Sequence, residues 1–197
     1  VLALQGGFER HLQVLAALGI QGEAIRYADQ LDACEGLILP GGESTTMTRL
    51  LLVENLWSSV YDFVREKPVF GTCAGAILLA QKVADPRVKP FGILAVEALR
   101  NAYGRQVNSF TTSLEIPSGQ IHAFQAVFIR APQLRILSAK VKILATENDR
   151  PVLVRQGKIL AATFHPELTG NPAIHRYFIE SVVVSSSKNR EKVAANV

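Results

Sequence analysis

Cysteine is scarce in this chain: Cys34 and Cys73 are the only two among 197 residues. Two thiols cannot form the disulfide framework that staples small secreted domains. The scarcity points to a reducing compartment, so a cytoplasmic protein is expected. Long hydrophobic runs are also missing. No apolar stretch approaches the ~20 residues needed to span a bilayer, and no membrane association is expected. The chain opens at Val1 without a methionine, so its start is expected to be trimmed, and no signal-peptide pattern is visible in what remains. No His/Cys cluster has zinc-ligand spacing; neither a metal nor a cofactor is expected. The net charge of +4 is diffuse, and part of it lies in the tail at Lys188, Arg190 and Lys192. With no recognised nucleic-acid motif, no nucleic-acid partner is expected.

What the chain does have is 48% hydrophobic residues, enough for one domain with a sizeable core. Val1–Leu4 reads as a short strand stopped by Gly6-Gly7. Phe8 to Leu18 has helical spacing and ends at Gly19. Gly36–Leu39 reads as a buried strand, followed by Pro40-Gly41-Gly42 and a helix that Ser44 or Thr45 is expected to cap. A helix over Trp57–Val64, a strand over Pro68–Gly71 and a helix over Ala74–Val83 come next. Beyond Asp85, strands are expected around Val107–Leu114, Ala126–Ile129, Val141–Ala145, Val152–Val154 and Ile159–Phe164, the last two as a hairpin around Gly157. Pro172–Val184 reads as a final helix. Residues 1–184 are expected to form a single domain and 185–197 a polar, flexible tail. Repeated strand–helix units predict an α/β fold in three layers, a largely parallel sheet with helices on both faces. Ligands then gather at the carboxyl ends of the strands, where both glycine-rich turns fall.

Gly71-Thr72-Cys73-Ala74-Gly75 has the Gly-x-Cys-x-Gly form of a nucleophile elbow between strand and helix. The sharp turn crowds its flanking residues, and glycine two positions either side removes the colliding side chains. The position at a helix N-terminus favours thiolate. The competing reading is a buried structural cysteine, which packs as a small hydrophobe; the flanking glycines tip the balance to a nucleophile. Cys34 lacks this setting and reads as a core or near-surface thiol.

A cysteine nucleophile needs a base, and the base an orienting group. His165-Pro166-Glu167 offers both. Proline favours extended backbone before it, and in extended chain residues two apart share a side, which would aim the Glu167 carboxylate at the His165 ring. Alone, His-Pro-Glu could be an ordinary polar turn. His11, on a helix, His122, in a loop, and His175, on the final helix, read as solvated. Pro40-Gly41-Gly42-Glu43-Ser44 lacks the Gly-Lys-Ser/Thr ending of a phosphate loop. Its backbone N–H groups, with that of Ala74, suit an oxyanion, although a plain turn and cap would share the pattern.

Leu4-Gln5-Gly6, Leu37 to Met47, Phe70 to Gly75, Arg100-Asn101-Ala102-Tyr103-Gly104-Arg105-Gln106, Phe128 to Pro132 and Thr163 to Thr169 together resemble the glutaminase subunits of pyridoxal 5'-phosphate synthase, within the class I, triad-type glutamine amidotransferases. The likeness runs from Val1 to about Val184. It implies a flavodoxin-like fold and hydrolysis of L-glutamine to glutamate and ammonia. Cys73 would attack the amide, His165 would move protons and Glu167 would orient His165. Gly42 and Ala74 would form the oxyanion hole, and Gly42, Glu43, Ser44, Arg100, Ile129 and Arg130 would contact glutamine. Arginine suits a carboxylate because guanidinium binds it as a planar fork. The resemblance also implies a (β/α)8-barrel synthase partner in a large hetero-oligomer, to which ammonia is channelled. Docking would set the Gly41-Gly42 peptide, with Glu9, Arg10 and His11 near the interface. Glu9-Arg10 reverses the Arg-Glu order of many members. A cysteine hydrolase or peptidase on a related fold would keep the elbow but need neither Arg100 nor Arg130. A non-catalytic regulatory subunit would be signalled by loss of a triad member, and none is lost.

Overall fold

The computed structural model describes residues 1–100, 109–117 and 120–184. Expectations for Asn101–Gln106, for the start of the strand at Val107 and for the tail from residue 185 lie outside these.

Short apolar runs cut by glycine and proline become strands β1 (Leu37–Leu39), β2 (Val69–Thr72), β9 (Arg150–Gln156) and β10 (Ile159–Ala162). With β8 (Lys142–Glu147) they form a five-stranded sheet in the order β1-β2-β10-β9-β8. β1 and β10 both run parallel to β2, whereas β9 and β8 continue the sheet antiparallel. The parallel half carries the site. The Val1–Leu4 run makes only a bridge: Leu2 pairs with Ile25, and its N–H reaches the Ile38 carbonyl at 2.9 Å.

Side chains alternate between the faces of the sheet with period two. Leu37, Leu39, Val69, Ile159 and Ala161 pack into one core with α2 (Ser44–Val53), α3 (Trp57–Glu66) and α4 (Ala74–Leu79). Ile38, Phe70, Leu160 and Ala162 pack into a second core with α1 (Phe8–Ala17) and α5 (Ala173–Phe178). These are the three layers expected for an α/β chain whose sheet must be covered on both sides.

Several elements differ from their sequence reading. The helix expected over Ala74–Val83 stops at Leu79, and Ala80–Val83 is strand β3, paired with β4 (Leu94–Leu99) and through it with β7 (Gln133–Ile136) in a separate three-stranded sheet. The Phe91 and Ile93 N–H groups donate to the carbonyls of Leu78 and Leu79 and so end the helix. β5 (Ser109–Ile116) and β6 (Ile121–Ile129) pair antiparallel, which puts His122 on a strand, exposed and bonded to Glu115. The final helix passes from α5 into a π-helical segment over Ile179–Val184. The cap of α2 is Glu43, whose side chain accepts the Thr46 N–H; Ser44 and Thr45 already lie within the helix. Among the described residues no helix is long and apolar enough to cross a membrane.

Candidate active site

Cys73 sits at the hinge between β2 and α4. Its N–H extends the parallel ladder by donating to the Ala162 carbonyl at 2.8 Å. Its backbone then turns sharply, with φ 46° and ψ −102°. This is strained for a residue with a side chain, and such strain is held only where the surroundings over-determine it. The two glycines make the turn possible. A Cβ on Gly71 would lie 2.7 Å from the Gly75 carbonyl, and one on Gly75 would lie 2.0 Å from the Leu39 oxygen. Ala74 opens α4, so its N–H has no acceptor inside the helix. Cys73 is largely buried, and its thiol faces the Ile129 carbonyl at 3.8 Å.

β10 lies beside β2, so the chain leaving it emerges next to Cys73. The His165 N–H donates to the Val127 carbonyl of β6 at 2.8 Å, which anchors the ring from outside the central sheet. Glu167 reaches His165 by a different route from the extended one expected: Pro166–Leu168 form a 3-10 turn, and that turn folds the carboxylate back onto the ring. Glu167 Oε1 is 2.7 Å from His165 Nδ1. Burial opposes a charge on this ring. Hydrogen bonds to Cys73 and Glu167, together with their charges, outweigh it and raise the imidazole to about 10. With Nδ1 turned to the carboxylate, the other ring nitrogen is free to exchange a proton with the thiol.

The glycine loop closes over this pair. Gly41 is pressed against the ring: a Cβ there would fall 2.3 Å from His165 Cε1. Gly6 has φ 91°, and a Cβ on it would lie 1.9 Å from the Gly41 oxygen. The Gly41 carbonyl accepts the Gly7 N–H at 3.0 Å. Since C=O and N–H of a trans peptide point opposite ways, the Gly42 N–H is turned away from Gly7. Gln5, to which the sequence motifs assign no role, steadies the loop by accepting the Glu43 N–H at 2.9 Å.

A cleft of about 360 Å³ opens onto these groups, lined by Gly42, Glu43, Ser44, Cys73, Arg100, Ile129, Arg130, His165 and Glu167 among others. All the expected substrate contacts thus share one cavity. Their states differ. Arg100 is already paired, with Glu43 at 2.6 Å and with Asp85, which Arg87 holds in turn at 2.7 Å. Burial pushes the Glu43 carboxyl up, but hydrogen bonds from Thr45 and Thr46 and the Arg100 charge hold it below the usual carboxylate range. Arg130 is exposed at the rim with φ 44°. The Ser44 hydroxyl is buried without a partner.

Two histidines read as solvated are fully buried. His11 and His175 touch each other at 2.8 Å between Nδ1 and Nε2, directly behind Glu167. The signal was present in the spacing. Phe8, His11, Leu12 and Leu15 form an i, i+3, i+4, i+7 stripe, as His175, Phe178 and Val182 form i, i+3, i+7. His11 therefore adds nothing to the surface beside Glu9 and Arg10.

The model of the SNO glutamine amidotransferase family matches residues 1–184. This chain belongs to that family. Subunits named pyridoxal 5'-phosphate synthase subunit PdxT from Thermotoga neapolitana and Moorella thermoacetica are each 47% identical to it over 183 residues, covering 92% of this chain and 97% of theirs. A solved glutamine amidotransferase, 47% identical, superposes with a TM-score of 0.85 over 91% of this chain and 95% of its own. Another glutamine amidotransferase of known structure, from Thermotoga maritima and 14% identical, has a TM-score of 0.57 over 93% of this chain and 85% of its own, and shares the fold.

Proposed function

We propose that this chain hydrolyses L-glutamine to L-glutamate and ammonia as the glutaminase subunit of a pyridoxal 5'-phosphate synthase. The observation that carries the reading is the strained Cys73 elbow beside a His165 ring whose far nitrogen is held by buried Glu167. Family membership and the names of the relatives supply the substrate and the assembly.

The chemistry follows from the positions. Cys73 Sγ, its proton taken by His165, attacks the side-chain amide carbon. The tetrahedral oxygen gathers negative charge, to be met by the N–H groups of Ala74 and Gly42. His165 returns its proton to the amide nitrogen, the C–N bond breaks and ammonia leaves a glutamyl thioester. His165 then takes a proton from water; the hydroxide displaces the thiol, and glutamate departs. Glu167 keeps the ring in the productive tautomer. A free amino acid carries an ammonium and a carboxylate, and the cleft offers the Glu43 carboxylate together with the Arg100 and Arg130 guanidinium groups, with Ser44 and Ile129 beside them. That pairing favours glutamine over a peptide. Residues 1–184 act as the single catalytic domain. The partner is a (β/α)8-barrel synthase in a large cytoplasmic hetero-oligomer, and it receives the ammonia.

The test is ammonia release from glutamine by the purified chain, alone and with the synthase subunit. Release is expected, strongest with the partner, and Cys73→Ala should abolish it. Undiminished release by that variant would refute the mechanism. Turnover of peptides or esters but not of glutamine would refute the substrate.

A further inference from the structure

Behind the triad, on the side away from the cleft, lies a buried polar chain that the reaction as described leaves unused. His11 on α1 and His175 on α5 are both fully buried. The ring of Phe70 meets both edge-on, at 6.5 and 5.7 Å between centroids. His11 Nδ1 and His175 Nε2 are 2.8 Å apart. His11 Nε2 lies 3.2 Å from Thr72 Oγ1, on the residue before the nucleophile, and 3.5 Å from Glu167 Oε2. Oε2 is buried and has no hydrogen bond, because the His165 contact is made by Oε1.

Burial keeps both rings neutral. It lowers His175 to about 4, and it holds His11 well below its usual value with help from the neighbouring His175 and His165. A neutral imidazole carries one N–H, so the pair has two tautomeric arrangements. In the first, His11 donates from Nδ1. Its Nε2 lone pair then faces the Glu167 carboxylate, and the His175 Nδ1–H is a buried donor without a partner. In the second, His175 donates from Nε2 to His11 Nδ1. His11 Nε2–H then points at Thr72 and Glu167, and the unpartnered His175 Nδ1 is only a lone pair. The second arrangement removes both a repulsion and an orphaned buried donor, and an orphaned donor costs more than an unmade acceptor contact. The same four groups do not form a metal site: among the described residues no cluster of His, Cys, Asp and Glu could hold one.

We infer that His11 is a positioning residue for the triad: its N–H, oriented by His175, is given to Thr72 Oγ1 and makes a second, longer contact with the free oxygen of Glu167. At 3.5 Å the contact is longer than a hydrogen bond, so it acts as a dipole on a desolvated charge. It holds the Glu167 carboxylate against rotation away from His165. This rests on the triad reading above.

The test uses the full chain with its synthase subunit. His11→Phe keeps bulk and removes the donor; His11→Gln keeps a donor. Ammonia release should fall about tenfold in kcat for His11→Phe, corresponding to ~1.4 kcal/mol, with KM little changed, and His11→Gln should recover most of it. The pH midpoint for alkylation of Cys73 by iodoacetamide should rise in His11→Phe by about half a pH unit or more, because a less firmly held Glu167 supports the His165 imidazolium less well. A packing role would leave that midpoint in place. Glu167→Gln is the control. If its midpoint moves and that of His11→Phe does not, the His11 assignment is overturned and the triad stands. If neither moves, the triad falls and takes this inference with it. Should His11→Phe not fold, nitrogen-15 spectra of the histidine-labelled wild-type chain decide: an Nε2–H tautomer at His11 is expected, and an Nδ1–H tautomer overturns the proposal.

Discussion

Mild acid should unfold this chain before its carboxylates respond. His175, lowered to about 4 by burial, and His11, lowered by burial and by the rings beside it, stay neutral in the folded state near pH 5 and are protonated in the unfolded one. Where the unfolded state binds more protons, stability rises with pH. The contribution of each ring is therefore complete above the unfolded value of 6.5 and drains away as the pH falls toward the folded one. For His175 alone the loss between about pH 6.5 and 4.5 integrates to about 2.2 kcal/mol, and His11 adds a loss of the same sign. Other groups act elsewhere. The lowered carboxyls of Glu43, Asp85 and Glu115 give up their stabilisation mainly below about pH 4.5. His165, raised to about 10, is protonated in both states below pH 6.5. Urea unfolding at steps from about pH 6 to 4.5 measures the slope, which approaches ~2.7 kcal/mol per pH unit with two silent rings. His175→Phe should lose about half of it. A flat urea midpoint across this window would mean that the two rings are not neutral in the fold, and would refute the reasoning.

Two further outcomes follow from backbone geometry. Cys73→Gly should be more stable than Cys73→Ala by about 1 kcal/mol in urea unfolding, because glycine relieves the φ 46° backbone that alanine must still adopt; equal stability would mean that the elbow is not strained. Gly41→Ala should keep the fold by circular dichroism yet lose about a hundredfold or more in ammonia release, since its Cβ would enter the space of the His165 ring at 2.3 Å.

The site was legible where its chemistry imposes local punctuation. Gly71 and Gly75 around Cys73, and proline after His165, are demands of tight geometry, and they can be read without knowing the fold. The three-layer arrangement follows from apolar runs separated by helical spacing. What stayed hidden depends on partners distant in the chain. Leu79 to Val83 continues a helix-forming composition, and only pairing with β4 makes Ala80–Val83 a strand. The hydroxyls of Ser44 and Thr45 are the commoner caps, yet the Glu43 carboxylate serves α2 and Arg100 together. The buried histidines look solvated by residue type, and only their place on an apolar stripe marks them as interior. His11 and His175 are 164 residues apart in sequence, and nothing local announces their contact.

The pairing of β10 with β2 acts as a ruler for the reaction. Ala162 lies opposite Thr72, and the Cys73 N–H closes the ladder, so the span between thiol and imidazole is measured out in hydrogen bonds. A slip of one residue would shift His165 by ~3.3 Å and reverse every side chain of β10. The opposite end of the same hairpin, at Gly157, is open: a Cβ there would meet nothing within 4 Å. That turn is where an affinity tag or a fluorophore can be inserted while the measured distance at the working end stays as it is.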